Sequence, residues 1–415
     1  MKKGLLFLLL GFFMVLISCE ENSSDEEFAD YLVAKPLVMS RTEFVNSVEV
    51  VDPLPINESG KIYAYQNYIF INDAFKGVHV IDNSNPASPQ KIAFIKIAGN
   101  VDISIKDNFL YADSITDLIV LDISNINAIQ IVNRMQNVLR ENVVFPFEAQ
   151  IFEWGDIDYE NDIIVGWETV TERRKIADVQ QPDIFFNDGT AEAANSGGDT
   201  GQGGSLARFK IVGDYLYAVD SHNINVFEIS DLGNPQDLDD VFAGFDIETI
   251  FNRGEYLFLG SMRGMYIYDI SSPATPSFVS EFQHGTACDP VVVDENYAYV
   301  TLRGGNFCGA TESGLFVVDI TNITTPELLV MYPMDEPYGL GIKDEKLFIC
   351  DGSSGLKVYD KSDIPNLVPL NHFENIVTFD VIPLENHLLM VGDGVLYQYE
   401  YLNNDIRLIS ELQLN

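Results

Sequence analysis

The amino-acid sequence predicts an all-β protein built from repeated units, and three observations lead to this prediction. An apolar five-residue phrase that ends in an acid recurs at intervals of about 40 residues. Each interval holds four short runs of β-branched and aromatic residues, separated by Asn, Asp, Ser and Pro. The phrase occurs seven times when one degenerate copy is included. Seven units of four antiparallel strands predict a seven-bladed β-propeller with four-stranded blades.

The copies of the phrase mark the third strand of each predicted blade. They are Val78–Asp82, Leu118–Asp122, Ile224–Glu228, Met265–Asp269, Leu315–Asp319, Leu356–Asp360 and the degenerate Val395–Tyr399, which lacks the terminal acid. The blades are expected at about residues 60–101, 102–139, 207–246, 247–287, 288–336, 337–376 and 377–415, within a propeller over 60–415. A long insertion, 140–206, separates the second blade from the third. A proline follows the third strand of most units, where its missing N–H disturbs no sheet.

Residues 33–59 precede the first blade and are expected to form an N-terminal segment with a short helix. Ser40 and Glu43 have the spacing of a capping box, which predicts a helix that continues to about Val45. Val33–Val38 is expected to pair beside the last blade and close the ring. Ile406–Leu414 alternates well enough to be the outer strand of that last blade.

The first residues of the chain have the pattern of a secretory signal. A basic start and the apolar run Gly4–Ile17, which is too short to span a membrane, predict a signal peptide over residues 1–18. The end of this run, Leu16–Cys19, resembles the lipobox of bacterial lipoproteins. The resemblance implies that Cys19 becomes the lipidated first residue of a protein anchored in the outer membrane. A cysteine beside an ordinary cleavage site is the alternative.

Residues 19–32 are expected to be an acidic, flexible tether. Within it, Ser24–Phe28 resembles a short acidic signal that sends lipoproteins to the outer face of some Gram-negative bacteria. The resemblance implies exposure at the cell surface, and a plain linker is the alternative.

The charge of the chain limits its partners. Asp and Glu number 63 against 24 Lys and Arg, and the formal net charge is −39. Such an excess repels phosphate backbones, so we expect no nucleic-acid partner. It favours solubility and cationic partners, and a solvated acidic surface is the plainer explanation.

The repeated phrase resembles the LVIVD repeat of bacterial surface proteins. The similarity covers about residues 60–415 and is strongest at Gly77–Asp82, Leu118–Ser124 and Cys288–Asp319. Members of this family are predicted β-propeller lipoproteins without a common assigned activity. The resemblance therefore implies a propeller at the cell envelope and leaves its activity open.

Strand direction predicts which loops share a face of the ring. In an antiparallel meander, the first strand of each blade begins where the second and fourth strands end; we call this side the insertion face, because 140–206 leaves the ring there. Cys288 and Cys308 both fall on the insertion face of the fifth blade, so a disulfide between them is expected in an oxidising compartment. Two free thiols are the alternative. Cys350 lies within a strand and is expected to be free and buried.

The insertion face also collects the candidate binding residues. The first half of the insertion holds Trp154 and Trp167 and includes a strand-like stretch, Ile163–Arg173, whereas Asn187–Gly204 has the composition of a disordered loop. Acids recur at strand ends on this face. The candidate binding face comprises Asp113, Asp220, Asp289, Asp380, Arg303, Trp154 and Trp167. A ring of carboxylates can bind Ca²⁺ or a cationic ligand, but Asp also caps turns through backbone hydrogen bonds, and this second explanation is favoured.

No motif for metal binding or catalysis accompanies the repeats. The five histidines lack ligand spacing, and neither a nucleophile elbow nor a phosphate-binding loop occurs. The leading hypothesis is a non-enzymatic surface lipoprotein that binds an unknown protein or glycan at the envelope and needs no cofactor. The alternatives are a propeller hydrolase or lyase that acts on extracellular polysaccharide, and a purely structural spacer.

Overall fold

The repeated phrase forms the third strand of an antiparallel sheet in each of seven consecutive units, so the predicted fold class is confirmed. The computed structural model describes residues 28–56, 59–139, 146, 149–175, 193–194, 200–285, 290–304 and 313–415. Within these ranges, no helix is long and apolar enough to span a membrane.

The elements follow one another in the order that the repeats predict. An N-terminal segment contains β1 (Phe28–Ser40), α1 (Arg41–Val45) and β2 (Glu49–Val51). Blade 1 contains β3 (Ser59–Tyr65), β4 (Tyr68–Asp73), β5 (Gly77–Asp82) and β6 (Gln90–Lys96), and blade 2 contains β7 (Ile103–Lys106), β8 (Phe109–Ser114), β9 (Asp117–Asp122) and β10 (Gln130–Met135). The insertion contributes β11 (Ile151–Phe152), β12 (Asp162–Lys175), β13 (Ala193–Ala194) and β14 (Gln202–Gly203).

Five further blades complete the chain. Blade 3 contains β15 (Phe209–Val212), β16 (Tyr215–Val219), β17 (Asn223–Glu228) and a divided outer strand, β18 (Gln236–Asp237) and β19 (Val241–Phe242); blade 4 contains β20 (Ile250–Arg253), β21 (Tyr256–Ser261), β22 (Gly264–Asp269) and β23 (Ser277–Gln283). Blade 5 contains β24 (Val291–Val293), β25 (Tyr297–Leu302), β26 (Gly314–Asp319) and β27 (Glu327–Pro333), and blade 6 contains β28 (Leu340–Lys343), β29 (Lys346–Cys350), β30 (Leu356–Asp360) and β31 (Val368–Phe373). Blade 7 contains β32 (Asp380–Pro383), β33 (His387–Gly392), β34 (Val395–Tyr401) and β35 (Ile406–Gln413).

The blades form a closed ring around a central channel. The innermost strands of successive blades contact one another, and β32 of blade 7 contacts β3 of blade 1. Apolar clusters fill the space between neighbouring blades; at the seam, Ile382 and Leu389 of blade 7 pack with Ile62 of blade 1. The Leu414 carbonyl also accepts a hydrogen bond from the Ile56 N–H at 2.8 Å. Side-chain packing and a few hydrogen bonds therefore close the ring.

The acid that ends the repeated phrase shapes the turn after the third strand. Asp122 Oδ1 accepts a hydrogen bond from the Ser124 N–H at 2.8 Å, and Asp319 Oδ1 accepts one from Thr321 at 2.9 Å. Hydrogen bonds from the side chain and the backbone of Ser124 lower the pKa of Asp122. This turn lies on the face opposite the insertion face. The recurrent acid and the Ser or Thr two residues later are thus explained by the hydrogen bond that stabilises this turn.

The N-terminal segment pairs with the insertion and not with the last blade. Strand β1 pairs antiparallel with β12 along its whole length, from Phe28 opposite Lys175 to Ser40 opposite Asp162, and β11 lies along its other edge. The expectation that Val33–Val38 closes the ring is therefore wrong, because blade 7 supplies all four of its strands from the C-terminal part of the chain. The predicted outer strand of blade 7, the strand in the insertion and the helix with its capping box are present.

Helix α1 fixes this three-stranded sheet to blade 2 on the insertion face. Phe44 packs against Ile115 of blade 2 and Ile163 of β12. The Arg134 side chain donates to the carbonyls of Phe44 at 3.2 Å and Val45 at 3.3 Å, and its Nε donates to Asp117 at 2.6 Å. The sheet is thus attached to the ring through both apolar and charged contacts.

Part of the second half of the insertion lies inside the central channel. We call Thr200–Leu206 the channel segment. Its strand β14 pairs with the inner edge of β3, Gln202 Nε2 donates to the Pro383 carbonyl at 3.2 Å, and Ser205 Oγ accepts the Leu340 N–H at 2.6 Å. The innermost strands expose unpaired backbone groups to the channel, and a chain of small residues can approach closely enough to bond them.

The channel segment corrects one expectation. The expectation that Asn187–Gly204 forms a disordered loop is wrong for two parts of this stretch. Ala193–Ala194 pair parallel with β20, and Thr200–Gly204 pair with the innermost strands of blades 1 and 2. The rest of the stretch from Asn187 lies outside the described residues.

Candidate functional site

The described acids of the candidate binding face, Asp113, Asp220 and Asp380, are buried groups that hold the backbone. Asp113 is 6% exposed, and its Oδ1 accepts hydrogen bonds from Asn100 Nδ2 at 2.7 Å and from the N–H groups of Val101 and Asp102 at 2.8 and 2.9 Å. Burial raises the pKa of Asp113 to about 6, although the backbone hydrogen bonds act in the opposite direction. This carboxylate joins the end of β8 to the start of the same blade.

Asp220 and Asp380 behave in the same way. Asp220 Oδ1 accepts from the N–H groups of His222 at 2.7 Å and Asn223 at 2.9 Å, and Asp380 Oδ1 accepts from the Val381 N–H at 2.6 Å. Both residues are buried. The interpretation of Asp113, Asp220 and Asp380 as a solvent-facing acidic surface is therefore wrong, because their carboxylates cap backbone N–H groups, as the favoured explanation holds. Asp289 lies outside the described residues.

Other charged groups at this end of the channel also hold the blades together. Asp102 accepts hydrogen bonds from the N–H groups of Arg208 and of Phe209, the latter at 3.0 Å, and its Oδ2 lies 3.7 Å from Lys61 Nζ. These contacts connect blades 1, 2 and 3. In the described part of the chain, no group of three or more His, Cys, Asp or Glu side chains could hold a metal ion.

The remaining members of the candidate face lie in two separate places. Trp154 and Trp167 form an edge-to-face pair with ring centroids 5.1 Å apart on the sheet of β1, β11 and β12, and Trp154 is 42% exposed. The Arg303 guanidinium lies 4.1 Å from the ring centroid of Tyr338, at the junction of blades 5 and 6. The structure thus does not bring Arg303 and the tryptophans into one site.

The structure describes one of the four cysteines. Cys350 is free and buried in β29, as expected, and burial raises the pKa of its thiol. Cys19, Cys288 and Cys308 lie outside the described residues. The lipidation and the disulfide therefore stay predictions.

The central channel contains a cavity of about 400 Å³ beside the channel segment. Gln202 and Ser205 form one wall, and Arg253 and Lys343 line it where the innermost strands end. Since these strands begin at the insertion face, the cavity extends toward the opposite face. Arg253 is engaged with the Asp294 carbonyl and with Glu295 at 3.7 Å, so this base serves the contact between blades 4 and 5.

Substitution of Gly204 by alanine tests the position of the channel segment. A Cβ at Gly204 would lie 1.9 Å from Oδ2 of the buried Asp380. We expect the free energy of unfolding to fall by about 1–3 kcal/mol, as for other overpacked interiors. Gly285→Ala is the matched control, because no other residue that the structure describes has an atom within 4 Å of the added methyl group, chain neighbours aside. Thermal unfolding should separate the two variants, and equal midpoints would place the channel segment outside the channel.

A groove that the sequence analysis missed lies between blades 3 and 4 on the outer side of the insertion face. Its volume is about 380 Å³, and we call it the aromatic groove. The groove is lined by Phe245, Arg263, Gly264, Tyr266, Glu281, Phe282, Gln283 and His284. Phe245 is 51% exposed. The available signal was a pair of phenylalanines at positions that the core does not need: Phe242 ends the outer strand of blade 3, and Phe245 lies in the loop that leads to blade 4.

Comparison with known proteins supports the fold assignment. The LVIVD repeat family matches residues 58–93, 98–136, 249–283 and 284–333, which correspond to blades 1, 2, 4 and 5. No curated protein matches the chain.

Several solved structures resemble the chain over most of its length. Hsv2 of Kluyveromyces lactis is 10% identical, with 86% of this chain and 100% of that chain covered at a TM-score of 0.49. BamB of Moraxella catarrhalis is 10% identical, with 89% and 99% covered at a TM-score of 0.48. A functionally unknown protein of Desulfotomaculum acetoxidans DSM 771 is 10% identical, with 86% and 97% covered at 0.49. None of these likenesses bears on activity. The chain is therefore a seven-bladed β-propeller in which at least four blades carry LVIVD repeats.

Proposed function

We propose that this protein is a non-enzymatic binding module of the bacterial envelope, that its insertion face carries the ligand, and that lipidated Cys19 anchors it in the outer membrane with the ring at the cell surface. The observation that carries the binding role is the construction of this face. A three-stranded sheet with the exposed Trp154 is attached to this face, and the aromatic groove opens on the same face between blades 3 and 4.

The chemistry of the channel supports binding over catalysis. Asp113, Asp220 and Asp380 are committed to backbone N–H groups, and the channel segment occupies part of the channel beside them. A general acid and base need access to substrate at hydrogen-bond distance. Exposed aromatic side chains on a rigid scaffold are, by contrast, typical of recognition surfaces.

Capture from solubilised cell envelopes tests the proposed role. The immobilised full-length protein is incubated with the envelope fraction, and recovered protein and glycan are measured. Trp154→Ala or Phe245→Ala should reduce recovery. Leu402→Ala should not, because Leu402 has a similar exposure, 39%, but follows the third strand of blade 7 on the opposite face.

Three outcomes would count against the proposal. Equal recovery by all variants would move the binding side away from the insertion face. Release of new reducing ends from envelope polysaccharide would indicate an enzyme. Retention of a fatty-acid probe by Cys19→Ala would remove the proposed anchor.

A further inference from the structure

We propose that the aromatic groove binds a neutral segment of a polysaccharide. This inference rests on the proposed function, because it assigns a ligand class to the insertion face. The groove exists because the outer strand of blade 3 is divided into β18 and β19 of two residues each, whereas the outer strand of blade 4, β23, has seven. Part of the face of blade 4 that points toward blade 3 is therefore left uncovered.

The aromatic rings of the groove are held in place before a ligand arrives. The Phe245 ring makes edge-to-face contacts with His222 at 5.5 Å and with Phe242 at 5.6 Å between ring centroids. The Tyr266 ring packs closely on the backbone of Gly244, where a Cβ would lie 2.9 Å from the ring. A ring that does not have to be ordered on binding costs little conformational entropy. The apolar C–H face of a pyranose can pack on such a ring and leave water.

Planar polar groups stand next to these rings. Glu281 is directly opposite Tyr266 in the pairing of β22 and β23, and Gln283 is opposite Gly264. Gln283 Nε2 donates to Glu281 Oε1 at 2.6 Å, so the amide and the carboxylate are oriented by each other. Arg263 Nε donates to Asp246 at 2.7 Å while its side chain stays 64% exposed. Arg, Glu and Gln together offer the donors and acceptors that vicinal hydroxyl groups require.

Charge and backbone geometry argue against the other ligand classes. The net charge of −39 opposes anionic ligands, and Asp246 compensates the charge of Arg263. An extended peptide gains affinity by adding to an open sheet edge. Gly264 and Gln283 pair with each other, so the lining side chains stand on the face of the sheet, whereas the open edge of the outermost strand β23 lies on the side away from Gly264. A neutral sugar chain needs stacking and hydroxyl contacts alone.

Affinity electrophoresis of the full-length protein tests the inference. Native gels contain starch, xylan, laminarin or mannan, and alginate serves as the anionic comparison. We expect at least one neutral polysaccharide to retard the protein. Phe245→Ala should weaken the apparent Kd about tenfold or more, because a stacking surface is lost. Phe278→Ala is the matched control, since this aromatic side chain of blade 4 is 56% exposed but does not line the groove.

A second variant separates ligand contact from altered folding. Gln283→Ala removes hydrogen-bonding atoms without shortening an aromatic side chain, and it should also weaken retardation while the thermal midpoint stays near that of the wild type. Absence of retardation by every neutral polysaccharide, or equal retardation of Phe245→Ala, overturns the inference. Capture of an envelope protein without polysaccharide binding would overturn the ligand class and leave the binding role intact. Cleavage of a retarding polysaccharide would instead refute the non-enzymatic role and leave the groove as its site.

Discussion

Arg134→Ala is expected to lower the free energy of unfolding by about 3–5 kcal/mol, which is typical when one partner of a buried ion pair is removed. The Arg134 side chain is 10% exposed and that of its partner Asp117 is 4% exposed. The substitution also removes the donors to the C-terminal carbonyls of α1 and the contact of the guanidinium with the Phe44 ring at 4.3 Å. Urea unfolding of the full chain measures this effect.

Arg407→Ala is the matched control for this prediction. Arg407 Nε donates to Glu400 at 2.6 Å, the same distance as in the Arg134 pair, but both side chains are exposed, at 68% and 40%. Water screens such a pair, so we expect little or no change. Arg134→Lys should fall between the two, because it keeps the charge beside Asp117 and loses the forked donors. Equal stability of Arg134→Ala and Arg407→Ala would show that α1 is not held by this contact.

Lys210→Met is expected to stabilise the protein by up to about 4 kcal/mol at pH 6. Lys210 lies on β15 beside the channel segment and is 7% exposed, and burial lowers its pKa to about 7. Among the described residues, its ammonium group has no carboxylate within ion-pair distance. Methionine has a similar length and carries no charge to desolvate.

The pH dependence gives this prediction its sign. Below pH 7, Lys210 is charged in both the folded and the unfolded state, and the folded state bears the full cost of burying the charge. Between pH 7 and about 10.5, the folded protein loses this proton before the unfolded chain does, so the wild type gains stability as the pH rises. The advantage of Lys210→Met should therefore shrink over that range.

Lys106→Met is the control for the buried lysine. Lys106 also lies on an innermost strand, but its Nζ donates to Asp214 at 2.7 Å and to the Gly213 carbonyl at 2.6 Å. Its replacement should give no stabilisation at pH 6. Thermal midpoints of both variants at pH 6 and pH 10 are the measurement, and a pH-independent gain for Lys210→Met would indicate better packing and no charge effect.

Local signals in the sequence account for the parts of the fold that were predicted correctly. The phrase ending at Asp122 combines a buried strand with its own turn, and both are encoded within seven residues. The capping box at Ser40 is equally local. Because such units repeat, one recognised blade predicts the others and the ring that they form.

Features that depend on distant partners could not be predicted from the sequence. Nothing in β1 indicates that its partner is β12, more than 100 residues later, because the backbone N–H and C=O groups at a strand edge are the same whatever strand they pair with. The Gly-rich composition of the channel segment predicts disorder, and its order comes from backbone groups of other blades. The positions of Asp113, Asp220 and Asp380 at strand ends were predicted correctly. Their burial was not, because the local sequence around an Asp that caps backbone N–H groups does not differ from that around an exposed Asp.

The channel segment has a consequence for the order in which the molecule assembles. It follows blade 2 in the chain, yet Ser205 bonds to Leu340 of blade 6 and Gln202 bonds to Pro383 of blade 7, which are synthesised and exported later. It also bonds early blades, through Tyr63 of β3 and the Ile105 carbonyl. Since the N-terminal part of a chain is the first to become available for folding, during synthesis or during the proposed export, we expect the segment to pair with blades 1 and 2 before the later blades close the ring. The last blades to form then pack around a strand that is already in place. We expect this strand to set the curvature with which the row of blades closes into a ring.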